Sequence, residues 1–505
     1  VSFSTADEEV LVMTNMDIEP NSVPIPTNKL SLVGKRKHVS YTRATYPRTS
    51  VEYTGTHLMD GYKYLSFIAC PFRYDAVNGN LYLKTNMKLR IQLEVNTDRA
   101  RDERNGTYRR RNMHDFIRDI TINGYELENL YALSNNNGRD ISSTSAPYKY
   151  VIVTNDSLKP VFEKLANWKT LKGVRAKVVS VEDCYDEYPD MTHQLAIKTV
   201  LSEYYSNGME YALLGGDVSN VPVLKCNLPP TIDTYDTPAD LYYACLDSCF
   251  SWDANGNNVF GEIADHIDLN PEFIVTRASV GTLAESQIFV DRIIKYESSP
   301  NIDEWKNEML SFGNKIASII NGRSDSQIKG EYNYNHYVQP YWHNDGLFEL
   351  YDTYTSHQDG ADYEANADHI QIELKKGYIF ADEYSHGWIN EWGWLEGPSL
   401  YTNDYADSLV NSGYTTITTI SCFSNAFDKV STDIPNETEI YTKCLSEAFL
   451  RNPNSGILAY FGSSREGYYP TSCDFSGKFY ESILSGIHKQ FGRAAMMAKN
   501  YYTGN

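Results

Sequence analysis

The stretch GYIFADEYSHGWINEWGW, residues 377–394, decides the fold class. It opens on an uninterrupted apolar run, Tyr378 to Ala381, and then sets one histidine, His386, between Ser385 and Gly387. An antiparallel strand with one wet face alternates apolar and polar residues, whereas a strand covered on both faces is apolar throughout. The run therefore reads as a buried strand of a parallel sheet, with His386 at its carboxyl end. A lone histidine beside glycine is more often structural than catalytic, so its role depends on what lies next to it.

Working outward, the same signature recurs. Short apolar runs are expected to be strands at Tyr150–Thr154, Ala176–Ser180, Tyr211–Asp217, Phe273–Thr276, Thr416–Ile420 and Gly456–Phe461. Amphipathic helices are expected between them, near 157–172, 192–206, 282–297, 366–376, 438–451 and 474–486. Strands alternating with helices imply an α/β domain over 148–505, with a mostly parallel sheet flanked by helices. In such sheets the functional crevice lies beyond the carboxyl ends of the strands.

Residues 1–130 read differently. Tyr62–Ile68 and Lys88–Val95 alternate apolar and polar residues, and Asn78-Gly79-Asn80 sits between two such runs as a hairpin turn. An all-β, sandwich-like N-terminal domain is expected there. The arginine-rich stretch 99–111 and the Asn/Ser/Gly-rich segment 131–147 then read as solvated loop and linker.

The 505 residues exceed what one core accommodates. With 45 basic against 66 acidic residues, the net charge of −21 argues against nucleic acid or an anionic membrane surface as partner. No run of about 18 apolar residues marks a membrane span. The N-terminus lacks a signal-peptide pattern, which fits a leader removed or left out of this sequence. Eight cysteines without a CxxC pair indicate neither a zinc site nor a disulfide scaffold.

Two strands end in residues with useful chemistry. One ends at Ser385-His386-Gly387 and the other at Ile420-Ser421-Cys422. If they are neighbours, an imidazole and a thiol emerge side by side from rigid elements. The thiolate is the attacking form, and an imidazole that titrates near neutrality can protonate a departing amine. The competing reading is a buried cysteine acting as a small hydrophobe.

At these residues the chain resembles the gingipain family of cysteine peptidases, in the caspase–legumain clan. Ser385-His386-Gly387 with the downstream Trp392-Gly393 resembles the family's His-Gly segment. Thr419 to Phe427 resembles its nucleophile segment, Lys443–Leu450 the helix that follows, and Gly456–Ser464 the strand that walls the pocket for the substrate residue before the cleaved bond. Leu213–Asp217 and Thr276-Arg277 are weaker landmarks. The resemblance implies a Cys422–His386 dyad with an acyl-enzyme, and Gly387 and Cys422 amides that hold the oxyanion. It implies an acid orienting His386, for which Asp236 and Asp233 are the candidates, and Asp240, Trp392, Ser421, Ser463 and Ser464 as substrate contacts. Residues 1–130 resemble the family's propeptide, which makes the 99–111 run and Arg139 processing sites. The protein would then be a secreted cysteine endopeptidase in zymogen form, outside or on the surface of a Bacteroidetes-like bacterium or in its periplasm. Its partners would be protein or peptide substrates and its own propeptide.

The chemistry needs no cofactor. Asp253, Asn255 and Asn257, followed by Glu262 and Asp265, space oxygen ligands as a structural calcium site does, although the EF-hand pattern fails. A polar Asn/Gly turn fits them too. Two other readings stay open: a sortase-like transpeptidase of the same family, as in type IX secretion, and a catalytically silent adhesion or glycan-binding module on the tyrosine-rich surface.

Overall fold

A computed structural model describes residues 2–15, 45–59, 62–92, 117–118, 121–124, 148–227, 237–246, 249–267, 269–298, 306–342, 346–352, 361–393, 399–411, 413–430, 441–469, 471–486 and 488–503. They fall into two compact units, one built from the described residues up to Gly124 and one from Tyr148 to Tyr501. The arginine run, Arg139 and the expected linker 131–147 lie outside the described residues.

The first unit is antiparallel, as its alternating sequence requires. Ser2–Met13 pairs along Asn80–Gln92, which also pairs with Phe72–Asp75, and Thr45–Tyr46 completes a four-stranded sheet. Val51–Met59 and Tyr62–Ala69 form a separate hairpin. The expected turn before Asn80 is present: Asp75 Oδ1 accepts from the Val77 and Asn78 amides at 3.0 and 3.2 Å.

The second unit delivers the parallel architecture as two sheets. The first has the order Ile274–Ala278, Tyr211–Gly215, Tyr150–Thr154, Ala176–Ser180, all parallel. Its inner strands Tyr150–Thr154 and Tyr211–Gly215 are almost wholly apolar because both faces are covered, whereas the outer ones carry Lys177 and Arg277. Val151, Val153 and Leu214 join one core cluster, and their neighbours Ile152 and Leu213 join another on the opposite side. Helix Lys159–Leu171 covers one face with Val161, Phe162 and Leu165, and helix His193–Ser206 buries Ala196, Ile197, Val200 and Leu201.

The second sheet has the order Gly346–Asp352, Lys306–Asn314, Tyr378–Tyr384, Thr415–Thr419, Ile457–Phe461, again all parallel. Tyr378–Tyr384, the histidine strand, is central, and Thr415–Thr419, the cysteine strand, lies directly beside it. Helix Ala367–Lys376 feeds the histidine strand. The Asn366 side chain caps its start by accepting from the His369 amide, and Gly377 ends it at φ 74°, a left-handed conformation that favours glycine. Arg292, on helix Leu283–Ser298, ties the two sheets together. It donates to the carbonyls of Leu450, Asn452 and Ile457 at 3.0, 2.5 and 3.1 Å.

Candidate active site

The register sets Phe380, Ala381, Asp382 and Glu383 opposite Thr416, Ile417, Thr418 and Thr419, so the two strands end level. Ser385-His386-Gly387 follows one, and Ile420-Ser421-Cys422 the other. The turns touch: a Cβ added to Gly387 would lie 2.5 Å from Ser421 Cβ and 2.9 Å from the Cys422 carbonyl oxygen. Only glycine allows this approach.

His386 is 2% exposed, and its Nε2 lies 3.0 Å from the Ile316 carbonyl oxygen, just past the neighbouring central strand Lys306–Asn314. A carbonyl can only accept, so Nε2 carries the hydrogen. The Cys422 side chain is fully buried. The Gly467 amide donates to its sulfur at 3.2 Å, and the Gly467 carbonyl oxygen is 3.9 Å away. Phe423 follows at φ 58°, a costly conformation for a non-glycine residue. It is held by its amide, which donates to the Arg465 carbonyl at 3.0 Å, and by its ring, packed on Trp388 at 5.0 Å between centroids.

Two carboxyl groups lie under the turns. Glu383 accepts from Thr419 Oγ1 at 2.5 Å, from Ser421 Oγ at 2.7 Å and from Ser385 Oγ. Burial pushes its pKa up to about 7, against the lowering effect of those hydroxyl donors. Asp382 points to the other side of the strand, accepting from Thr418 Oγ1 at 2.5 Å and from Tyr384 Oη. Burial raises it to about 7 as well.

The other expected residues divide. Ser463 and Ser464 follow strand Ile457–Phe461 and sit beside the nucleophile turn: the Ser463 carbonyl accepts from the Asn425 amide at 3.1 Å, and the Ser464 carbonyl from Arg465 Nη1 at 2.6 Å. Ser421, expected to touch substrate, is buried and bonded to Glu383, so it faces into the sheet. Trp392 is a core residue rather than a cleft residue. A short reversal pairs Gly387–Trp388 with Glu391–Trp392 and returns the indole beneath the sheet, where Nε1 donates to Tyr460 Oη at 3.0 Å and the ring meets Phe312, Tyr401 and Phe449. Asp240 is committed to a two-pronged ion pair with Arg277, at 2.7 Å on each prong, and that guanidinium lies 5.3 Å over Phe427. Asp233 and Asp236 lie outside the described residues, as does Trp394.

Asp253, Asn255, Asn257, Glu262 and Asp265 do come together, but around N–H donors. Asp253 accepts from the Asn257 and Asn258 amides at 3.0 and 3.1 Å, and Asp265 from Ala254 and Glu262 at 2.7 and 3.1 Å. The Asn255 and Asn257 side-chain amides both donate to Glu262 Oε1, at 2.6 and 2.7 Å. Amide nitrogens cannot ligate calcium, so the loop as arranged does not fit the ion. Among the described residues no group of three or more His, Cys, Asp or Glu is placed to hold a metal.

Three participants were not anticipated: Ile316, Glu383 and Gly467. A backbone carbonyl and a backbone amide leave no side-chain signal. Glu383 did leave one, since an Asp-Glu pair inside an otherwise apolar strand has to be explained.

The chain can now be set beside known proteins. Lys-gingipain W83 of Porphyromonas gingivalis is 22% identical over 479 residues, 90% of this chain and 23% of that protein. A second Lys-gingipain of the species is 23% identical over 477 residues, with the same coverage. The chain thus spans about a quarter of the length of these relatives. The crystal structure of the Arg-specific cysteine proteinase gingipain R superposes with a TM-score of 0.52 at 20% identity, covering 73% of this chain and 76% of that one. The complex of the Porphyromonas gingivalis RgpB pro- and mature domains gives 0.52 at 20% identity, covering 70% and 75%. At that identity the superpositions speak for the fold. The sequence model of peptidase family C25 matches residues 143–505, and by that match the chain belongs to the family.

Proposed function

We propose that this chain is a cysteine endopeptidase in zymogen form. The observation that carries the reading is the contact of the histidine and cysteine turns at one edge of a rigid parallel sheet, with Gly387 against the Cys422 carbonyl. The Cys422 thiol would lose its proton and attack the scissile carbonyl. The oxyanion would be met by the Gly387 and Cys422 amides. Because Nε2–H is turned to Ile316, the proton delivered to the leaving amine would travel on His386 Nδ1. Water then hydrolyses the thioester and regenerates the thiol.

Burial of Cys422 beneath Gly467 supports a latent state, since a peptide carbonyl reaches the sulfur only after the 463–469 segment moves aside. The segment is fastened by Arg465, which makes a buried two-pronged ion pair with Asp428 at 2.9 and 2.7 Å. The antiparallel N-terminal unit would be the propeptide, removed by cleavage in the arginine-rich stretch or the linker, in a protein exported to the periplasm, the cell surface or the medium. No helix among the described residues is long and apolar enough to cross a membrane.

Cys422→Ala is expected to abolish both peptide cleavage and labelling by a thiol-directed peptidyl probe, and retained cleavage refutes the assignment. Limited proteolysis between residues 99 and 145 should raise activity; an uncut chain as active as the cut one removes the zymogen reading. A structural calcium ion at Asp253–Asp265 belongs to the same proposal only if Asn255 and Asn257 turn their carbonyls inward. A thermal midpoint unmoved by calcium excludes it.

A further inference from the structure

The chemistry above uses the ends of the two turns and leaves their junction unexplained. Glu383 is fully buried in that junction. Its Oε2 takes hydrogen bonds from Thr419 and Ser421, on the cysteine side, and its Oε1 takes one from Ser385, on the histidine side. Ser421 Oγ lies within 3.1 Å of the Ser385 and His386 carbonyl oxygens and 3.2 Å from Ser385 Oγ. One carboxyl group therefore grips a residue adjacent to His386 and a residue adjacent to Cys422.

Stability does not account for this choice. Burial raises the Glu383 pKa, its three hydroxyl donors oppose that rise and the neighbouring Asp382 adds to it, and a carboxyl buried in that way is costly. An apolar side chain would close the sheet edge more cheaply, but it could not hold three hydroxyls in fixed directions. We infer that Glu383 is a positioning residue that fixes the separation of His386 from Cys422 by clasping Ser385, Thr419 and Ser421. This rests on the proposed peptidase reaction. It names a group that acts through its neighbours and touches no substrate.

The test uses the whole chain after cleavage of its connector, with Glu383→Gln, Ser421→Ala and the double variant, on a library-selected peptide that the parent cleaves. Each single variant should keep its fold by circular dichroism and lose about tenfold or more in kcat, with KM within about twofold, because displaced catalytic groups cost turnover rather than binding. The double variant should lose no more than the worse single one, since both changes break one clasp. Hydrogen exchange should quicken at 385–387 and 421–424 together, and not across the first sheet. Unchanged kcat in both single variants, or losses that multiply, overturn the inference. Should Glu383→Gln fail to fold, Ser421→Ala decides alone, because it removes a clasp hydroxyl without disturbing the carboxyl. If the parent proves inactive, the peptidase reading fails, yet the exchange measurement still decides the clasp: protection unchanged at both turns overturns it.

Discussion

Gly387→Ala tests the site at its tightest point. The added Cβ would stand 2.5 Å from Ser421 Cβ, 2.9 Å from the Cys422 carbonyl oxygen and 3.1 Å from Ser421 Oγ. Carbon atoms pack at about 3.5–4.0 Å, so the turns must part by roughly 1 Å. Neither neighbour can yield cheaply. Ser421 is anchored to Glu383, and the Cys422 oxygen belongs to a backbone whose next residue already sits at φ 58°. Overpacking of this kind costs about 1–3 kcal/mol. If His386 and Cys422 act as proposed, a displacement of about 1 Å should lose on the order of a hundredfold in rate. The assay is a urea melt of the whole chain beside kcat for the processed enzyme. Adding Ser421→Gly removes the 2.5 Å contact and leaves the 2.9 Å one, so it should restore part of the stability. It should not restore the rate, because the Ser421 hydroxyl is gone. A Gly387→Ala protein that melts and turns over like the parent would show that the turns do not meet here.

Three further outcomes follow from buried charge. Asp382, raised to about 7 by burial, binds a proton in the folded state that the unfolded chain, with the ordinary value of 3.8, has released. The contribution of Asp382 to stability should therefore fall as pH rises from about 4 to 7, by at most about 4 kcal/mol, with Glu383 adding a fall of the same sign. Asp382→Asn should flatten that fall in thermal midpoint, and a parent-to-variant difference constant across pH counts against it. Asp428→Ala strands the buried Arg465 guanidinium and should cost about 3–5 kcal/mol in a urea melt, whereas Asp428→Ala with Arg465→Met should recover most of it. Arg292→Leu removes a donor from the carbonyls of Leu450, Asn452 and Ile457, of which Asn452 keeps the Ser455 amide at 3.3 Å, and should cost about 1–3 kcal/mol for each one left with neither donor nor water, a loss that equal midpoints would contradict.

Strands covered on both faces announced themselves. Tyr150–Thr154 and Ala176–Ser180 were readable to the residue, because each is a short apolar or β-branched run set between helical segments. The meeting of the turns that carry His386 and Cys422 was readable as well, since both follow such runs. Lys306–Asn314 was not readable, although it lies next to the histidine strand. It buries Ser311 and Asn314 beside Met309, Leu310 and Phe312, so its apolar run is broken. Helix Asp325–Asn333 hid in the same way: its inward face is Ser326, Gln327 and Asn333, and Asn333 Nδ2 donates to Tyr384 Oη and the Cys473 carbonyl, both at 2.8 Å. Trp392 misled because closeness in sequence to His386 says nothing about a two-strand reversal that carries the indole to the opposite side.

The second unit offers two parallel sheets, and the strand-end rule alone gives both an equal claim to a site. Their edges differ in what the polar groups do. At the first sheet Thr154 Oγ1 donates to the Gly215 carbonyl at 2.5 Å, Asn155 to Asn220 at 2.5 Å, and Asp217 accepts from Ser219 and Asn220. The first two tie neighbouring strand ends together, and the Asp217 bonds close a turn. The thiol beyond that edge, Cys184, is pushed up to about 12 by burial and by nearby acids, which keeps it protonated and unreactive. At the second sheet an imidazole and a thiol stand level on adjacent strands, over a carboxyl group that binds both turns. The same topology thus frames two crevices, and the placement of His386, Cys422 and Glu383 is what favours the second for the proposed chemistry.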